Sequence, residues 1–157
     1  MSWDRHNFAD RLKEAFASEA LAEVTSPLAK EVKAEGSERM TAALQGKTWD
    51  EVGPDMAMRA APDLITLTSE AFVAYLPAFL RGAAYDLDGE GATYVFYALA
   101  PLDQLDVYYE RTCLLFSPQQ AELIAELLEQ MASDPAFSYF GDEPTTAIAL
   151  WRRRASG

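Results

Sequence analysis

Apolar residues recur along most of the chain at helical spacing. Phe8, Leu12, Ala15 and Phe16 fall on one face of Asp4 to Ser18, with Arg5, Arg11, Lys13 and Glu14 elsewhere, which predicts an amphipathic helix. The stretch to Gly53 is more polar and is punctuated by Pro27, Gly36 and Gly46. Ser37 is the expected cap of a short helix to Leu44, and Pro54 the expected start of another through Ala60. Thr68 is the expected N-cap of a helix from Ser69 to about Tyr85. Its Phe72, Tyr75, Leu76, Phe79, Leu80 and Ala83 cover most of the circumference, the mark of a buried central helix. Pro77 in its middle removes one backbone bond and is expected to kink it.

Residues 93–99 suit two readings. Tyr94, Val95, Phe96 and Tyr97 favour a strand by composition, but no second strand is convincing as a partner, so a short buried helix ending before Pro101 is expected. Ser117-Pro118-Gln119-Gln120 combines an N-cap serine, a first-turn proline and a glutamine three residues after the cap. Behind it, Leu123, Ile124, Leu127, Leu128 and Met131 form one stripe and Glu122, Glu126 and Glu129 another, stopping before Asp134-Pro135. A last helix is expected from Pro144 through Ile148 and Trp151 into three arginines, which suit a helix C-terminus. The expectation is an all-α fold in a single multi-helix domain spanning 1–157, its core joining Leu76, Phe79 and Leu80 to Leu123, Leu127 and Leu128.

Charge changes the functional picture more than the fold. The 157 residues carry a net charge of −12. Residues 1–81 contribute −4, whereas residues 82–151 contribute −11 with Arg111 as their single base, and Arg152–Arg154 add +3. Such a field repels nucleic acid and anionic membranes and attracts basic partners. The first residues are charged throughout, without the apolar core of a signal peptide, and the apolar run Ala71 to Leu80 is too short to span a bilayer. The lone Cys113 excludes an internal disulfide and is compatible with a reducing cytoplasm.

Candidate chemistry is sparse. Asp86-Leu87-Asp88-Gly89-Glu90-Gly91 opens like a calcium loop, with Asp86, Asp88 and Glu90 at ligand positions, but position 12 is Tyr97, which cannot supply the bidentate carboxylate. The expectation is a solvated turn that binds no metal. Gly46-Lys47-Thr48 imitates the end of a phosphate-binding loop, yet Thr41 stands where the first glycine belongs and a helix where the strand belongs. His6, the only histidine, reads as a surface residue, and Cys113 as a small buried hydrophobe. Asp103 with Asp106, and Asp142 with Glu143, are the carboxylate pairs on which an acid–base site would have to draw. No motif calls for a cofactor, and no catalytic residue is assigned. Asp103, Asp106, Tyr108, Tyr109 and Glu110 combine carboxylates with tyrosines, a composition that suits a protein interface.

Three segments carry a resemblance: Gly46-Lys47-Thr48-Trp49; Leu67 to Leu80, reading LTSEAFVAYLPAFL; and Ser117-Pro118-Gln119-Gln120. They resemble the G-K-T-W, L-T-P-E-A-F-R-Y-Y-L-P-A-F-L and S-P-x-Q motifs of a family of small bacterial proteins known only as a domain of unknown function, over about residues 37–132. Ser69 stands for the proline of the middle motif, and Val73-Ala74 for its Arg-Tyr. The resemblance implies a helical fold and an intracellular bacterial origin, and brings no activity or site residues. The functional expectation is a non-catalytic acidic cytoplasmic protein acting through protein–protein contacts, for example by neutralising a basic toxin. The alternatives are a carboxylate-based or metal-dependent enzyme and a structural or regulatory homo-oligomer.

Overall fold

The computed structural model describes residues 3–21, 24, 35–100, 111–134 and 143–157. Among them are seven α-helices, three 3-10 turns and no strand, only an isolated bridge at Leu67. The helices are α1 (Arg5–Ala15), α2 (Glu35–Leu44), α3 (Pro54–Ala60), α4 (Ser69–Tyr85), α5 (Glu90–Leu99), α6 (Pro118–Ala132) and α7 (Glu143–Ala155); the turns are Trp49–Glu51, Ala61–Thr66 and Cys113–Leu115. The mostly helical expectation holds.

Caps fix most of the boundaries. Asp4 Oδ1 accepts from the amides of His6 and Asn7 at 3.0 Å each and starts α1. Thr68 Oγ1 accepts from Ala71 N at 3.1 Å and starts α4. Ser117 and Gln120 exchange bonds at 2.9 and 3.2 Å, the reciprocal capping box that starts α6. Gly46, at φ +78°, turns the chain out of α2 in the left-handed conformation that glycine adopts without penalty.

Some starts differ from expectation, α7 opening at Glu143 rather than Pro144. α2 begins at Glu35, so Ser37 lies inside the helix rather than ahead of it. α5 begins at Glu90, one turn ahead of the expected start, and residues 93–99 are helical as expected.

Helix α4 is the axis of the core. Tyr75, Leu76, Phe79, Leu80 and Ala83 are fully buried, and α1, α3 and α5 pack around the helix, which runs from Ser69 to Tyr85 with Pro77 inside it. Its apolar residues share one cluster with Leu123, Leu127 and Leu128 of α6, as the stripes imply. The most extensive helix–helix contact joins α6 to α7. On the other side of α4, Met58 of α3 lies where side chains at Gly82 and Gly91 would be. A Cβ at Gly91 would stand 2.9 Å from the Met58 carbonyl oxygen, so only glycine lets α3 and α5 approach this closely.

Long polar side chains tie the elements together. The Tyr75 hydroxyl donates to Lys47 O at 2.6 Å and accepts from Leu21 N at 3.0 Å. The Arg81 guanidinium lies 5.1 Å from the centre of the buried Trp49 ring and donates to Asp50 Oδ1 and Val52 O at 2.9 Å. Residues of Gly46-Lys47-Thr48-Trp49 and of the central helix thus meet in one place, where they hold the chain together. Three helix C-termini receive a donor from a distant side chain: Ala15 O from Gln120 Nε2 at 2.9 Å, Leu99 O from Trp151 Nε1 at 2.9 Å, and Tyr85 O from Arg5 at 3.4 Å. Each satisfies a carbonyl that the helix itself leaves open.

Glu126 is the polar knot between α1 and α6. It accepts a forked pair from Arg11 at 2.7 and 2.6 Å and a third bond from Trp3 Nε1 at 2.8 Å. Burial pushes its pKa up, but the bonds from Arg11 and Trp3 and the charges of Arg11 and Arg152 outweigh that, and the net shift is downward. A carboxylate lowered in the folded state stabilises the protein above its unfolded pKa of about 4.3, and the contribution is lost as pH falls through the folded value. Glu126→Gln is therefore expected to cost about 1–2 kcal/mol at pH 7, in the range of charge-assisted hydrogen bonds. The difference should shrink toward zero in urea titrations at progressively lower pH. A deficit that stays constant down to pH 2 would contradict this role.

Candidate functional site

The segment Asp86 to Tyr97 does not form a calcium loop. Only residues 86–89 lie between α4 and α5, and Glu90 already opens the helix, so positions 5 to 12 of the pattern are helical. Gly89 N bonds Asp86 O at 3.0 Å, and the Asp86 carboxylate sits close beside Gly89. The exposed Asp88 carboxyl shares a hydrogen bond with Asp134; that bond, the Asp134 charge, slight burial and the Asp86 charge raise its pKa. Among the described residues, no three His, Cys, Asp or Glu side chains gather as a metal would need.

Cys113 is buried, and burial pushes its thiol up to about 12, against a smaller opposing effect of Arg154. It is therefore a poor nucleophile, as expected of a packed cysteine. His6 is exposed but has a partner that its sequence neighbours do not reveal: its Nδ1 lies 2.8 Å from the Tyr85 hydroxyl. Tyr85 also lines a shallow cleft of about 530 Å3 with Asp55, Met58, Arg59, Gly82 and Asp86. A phenol, an imidazole and carboxylates can move protons, yet no serine, threonine or cysteine stands among these lining residues to act as a nucleophile.

The interface residues expected from sequence, Asp103, Asp106, Tyr108, Tyr109 and Glu110, lie outside the described residues, as do Asp142 and the side chain of Glu143. The structure instead draws attention to an exposed apolar surface among the described residues. Between the turn Ala61–Thr66, helices α4 and α5, and the turn Cys113–Leu115 opens an apolar cleft of about 250 Å3. Leu64, Leu67 and Phe72 lie within it, Ala98 comes from α5, Ser69 and Thr112 add hydroxyls, and Ile65 and Leu115 complete its lining. Ile65 is 86% exposed and Leu115 44%. Leu114 is exposed beside Leu115, and so are Tyr94 and Tyr97 on α5, Tyr94 one turn before Ala98. Among the described residues, no charged side chain lines the cleft.

The local chain geometry explains the exposure. In a 3-10 turn, residues three apart eclipse one another, so Leu64 and Leu67 both reach inward while Ile65 is turned away. Asp63, before it, is held by a forked pair of bonds from Arg39 at 2.9 and 3.0 Å, and its carbonyl accepts from Thr66 Oγ1 at 2.7 Å. The turn is thus braced on both sides.

No family model, curated protein or solved structure matches this chain. The functional reading therefore rests on the molecule's own surface. Among the described residues, no helix is long and apolar enough to cross a membrane.

Proposed function

We propose that this is a non-catalytic cytoplasmic protein that acts by binding a partner protein with a basic surface, and that the cleft beside Ile65 is the centre of the contact. The exposure of Ile65 on the rim of a cleft whose described lining is apolar side chains and two hydroxyls carries the reading. Single exposed apolar residues are ordinary, but here two large aliphatic side chains border one cleft and exposed tyrosines stand on the adjoining helix. The partner's sign follows from charge. A chain of net −12 repels a second copy of itself and attracts a base-rich surface. In sequence, the acidic stretch 101–110 lies between Ala98 and Thr112, both of which line the cleft. Neutralisation of a basic toxin is one concrete form of such binding.

The test starts from the partner recovered from the native host. Replacing Ile65 and Leu115 together by serine leaves net charge unchanged and touches only exposed side chains. It is expected to weaken partner binding at least ~30-fold, the effect of losing a hot spot worth about 2 kcal/mol. Reversing Asp103, Asp106 and Glu110 to lysine is expected to lower the association rate about tenfold at low salt, while the same change at Glu14, Glu19 and Glu23 leaves it nearly unaltered. Unchanged affinity in the double-serine variant would remove the cleft from the contact.

A further inference from the structure

We infer that the occupant of the cleft is an amphipathic helix of the partner, which inserts one large apolar side chain and carries lysine or arginine on its flanks. This rests on the binding role proposed above and specifies its mode.

Size sets the inserted group. An apolar cavity of roughly 150 Å3 accommodates a benzene molecule, so about 250 Å3 has room for one leucyl, phenylalanyl or indole group. The lining sets its polarity: among the described residues it consists of apolar side chains with the Ser69 and Thr112 hydroxyls, and a buried charge would find no counter-charge among them.

Backbone chemistry sets the conformation. An extended peptide brings unpaired N–H and C=O groups and binds well where a sheet edge can pair with them. The described residues form no sheet. Several amides beside this cleft are already engaged: Leu67 N bonds Leu64 O at 3.4 Å, Phe72 N bonds Thr68 O at 2.8 Å, Leu115 N bonds Thr112 O at 2.9 Å, and Ala98 lies within α5. A strand laid across this surface would find these amides closed to its own polar groups. A helix arrives with its backbone bonds made and presents side chains only.

Charge sets the flanks. The overall field favours bases, and the exposed Tyr94 offers a ring face to a guanidinium or ammonium group, an attraction additional to the field. Arg111, exposed and next to Thr112, disfavours a base at that end of the cleft.

The probe is a fluorescein-labelled synthetic 18-residue peptide of leucine and lysine, with leucines at i, i+3, i+4 and i+7 spacing, followed by anisotropy at about 150 mM salt. Two control peptides have each leucine replaced by alanine, or the same composition interrupted by two prolines. The parent peptide is expected to bind the wild-type protein. Both controls are expected to bind at least ~tenfold more weakly, as is the parent peptide to the Ile65→Ser, Leu115→Ser variant. Equal binding to that variant would mean attraction by charge alone and would overturn the inference. Equal binding of the proline-interrupted peptide would overturn the helical mode. Failure of every peptide to bind would also overturn it, while the binding role is judged separately by whether the double-serine variant loses the native partner.

Discussion

Replacing Trp151 with alanine is expected to destabilise the protein by about 3–5 kcal/mol, the range for removing a large buried aromatic side chain. The indole is 1% exposed, and its ring centre lies 5.6 Å from that of Phe116, edge against face. It belongs to α7, whose contact with α6 is the most extensive in the fold, and its Nε1 closes the end of α5 at Leu99 O. The substitution removes packing area and also strands a buried carbonyl, which by itself costs about 1–3 kcal/mol. Trp151→Phe separates the two effects. It keeps most of the ring and loses the bond, so about 1–2 kcal/mol is expected. Urea titration of both variants checks this. An alanine variant within about 1 kcal/mol of wild type would contradict the packing, and a phenylalanine variant as damaged as the alanine one would leave the hydrogen bond as the whole effect.

Phe79→Ala is expected to cost a similar ~3–5 kcal/mol, for a different reason. Phe79 is fully buried at the centre of α4, in the cluster that α1, α3, α5 and α6 contribute to. It has no polar atom, so its loss is purely one of burial and cavity formation. Ile65→Ala, which also removes apolar side-chain atoms but at an 86% exposed site, should fall within about 0.5 kcal/mol. The contrast makes burial the deciding variable. Equal shifts of the denaturant midpoint in the two variants would show that Phe79 is not in the core.

The sequence was most legible where local chemistry terminates a helix. Pro54, Thr68 and Ser117 mark the starts of α3, α4 and α6, and in each case the helix begins at the expected residue. At α5 the local signals mislead. Its cap is Gly89, which offers no side-chain acceptor, and the acidic residues before it imitate a metal loop. The stripe Glu122, Glu126 and Glu129 looks like a solvated face because charge and spacing carry no information about distant neighbours. Yet Glu126 is engaged by Trp3 and Arg11, and Glu129 by Arg152 at 2.9 Å. The cleft was hidden for the same reason. Leu64, Ile65 and Leu67 read simply as apolar residues, and only the three-residue period of a 3-10 turn separates the one that faces outward. The acidic tyrosine-rich stretch was visible in sequence, but the apolar cleft depends on bringing together residues 64–72, Ala98 and residues 112–115, which no local pattern links.

The burial of Cys113 has a practical consequence. A thiol raised to about 12 and shielded from water reacts with an alkylating reagent only when the fold around it opens. The wild-type chain therefore carries its own reporter of opening: the rate at which iodoacetamide modifies it measures how often this part of the core comes apart. The same inertness leaves the surface free for engineering. A cysteine introduced at position 65 would be the one accessible thiol, so a photocrosslinker could be attached beside the cleft without first replacing the native cysteine.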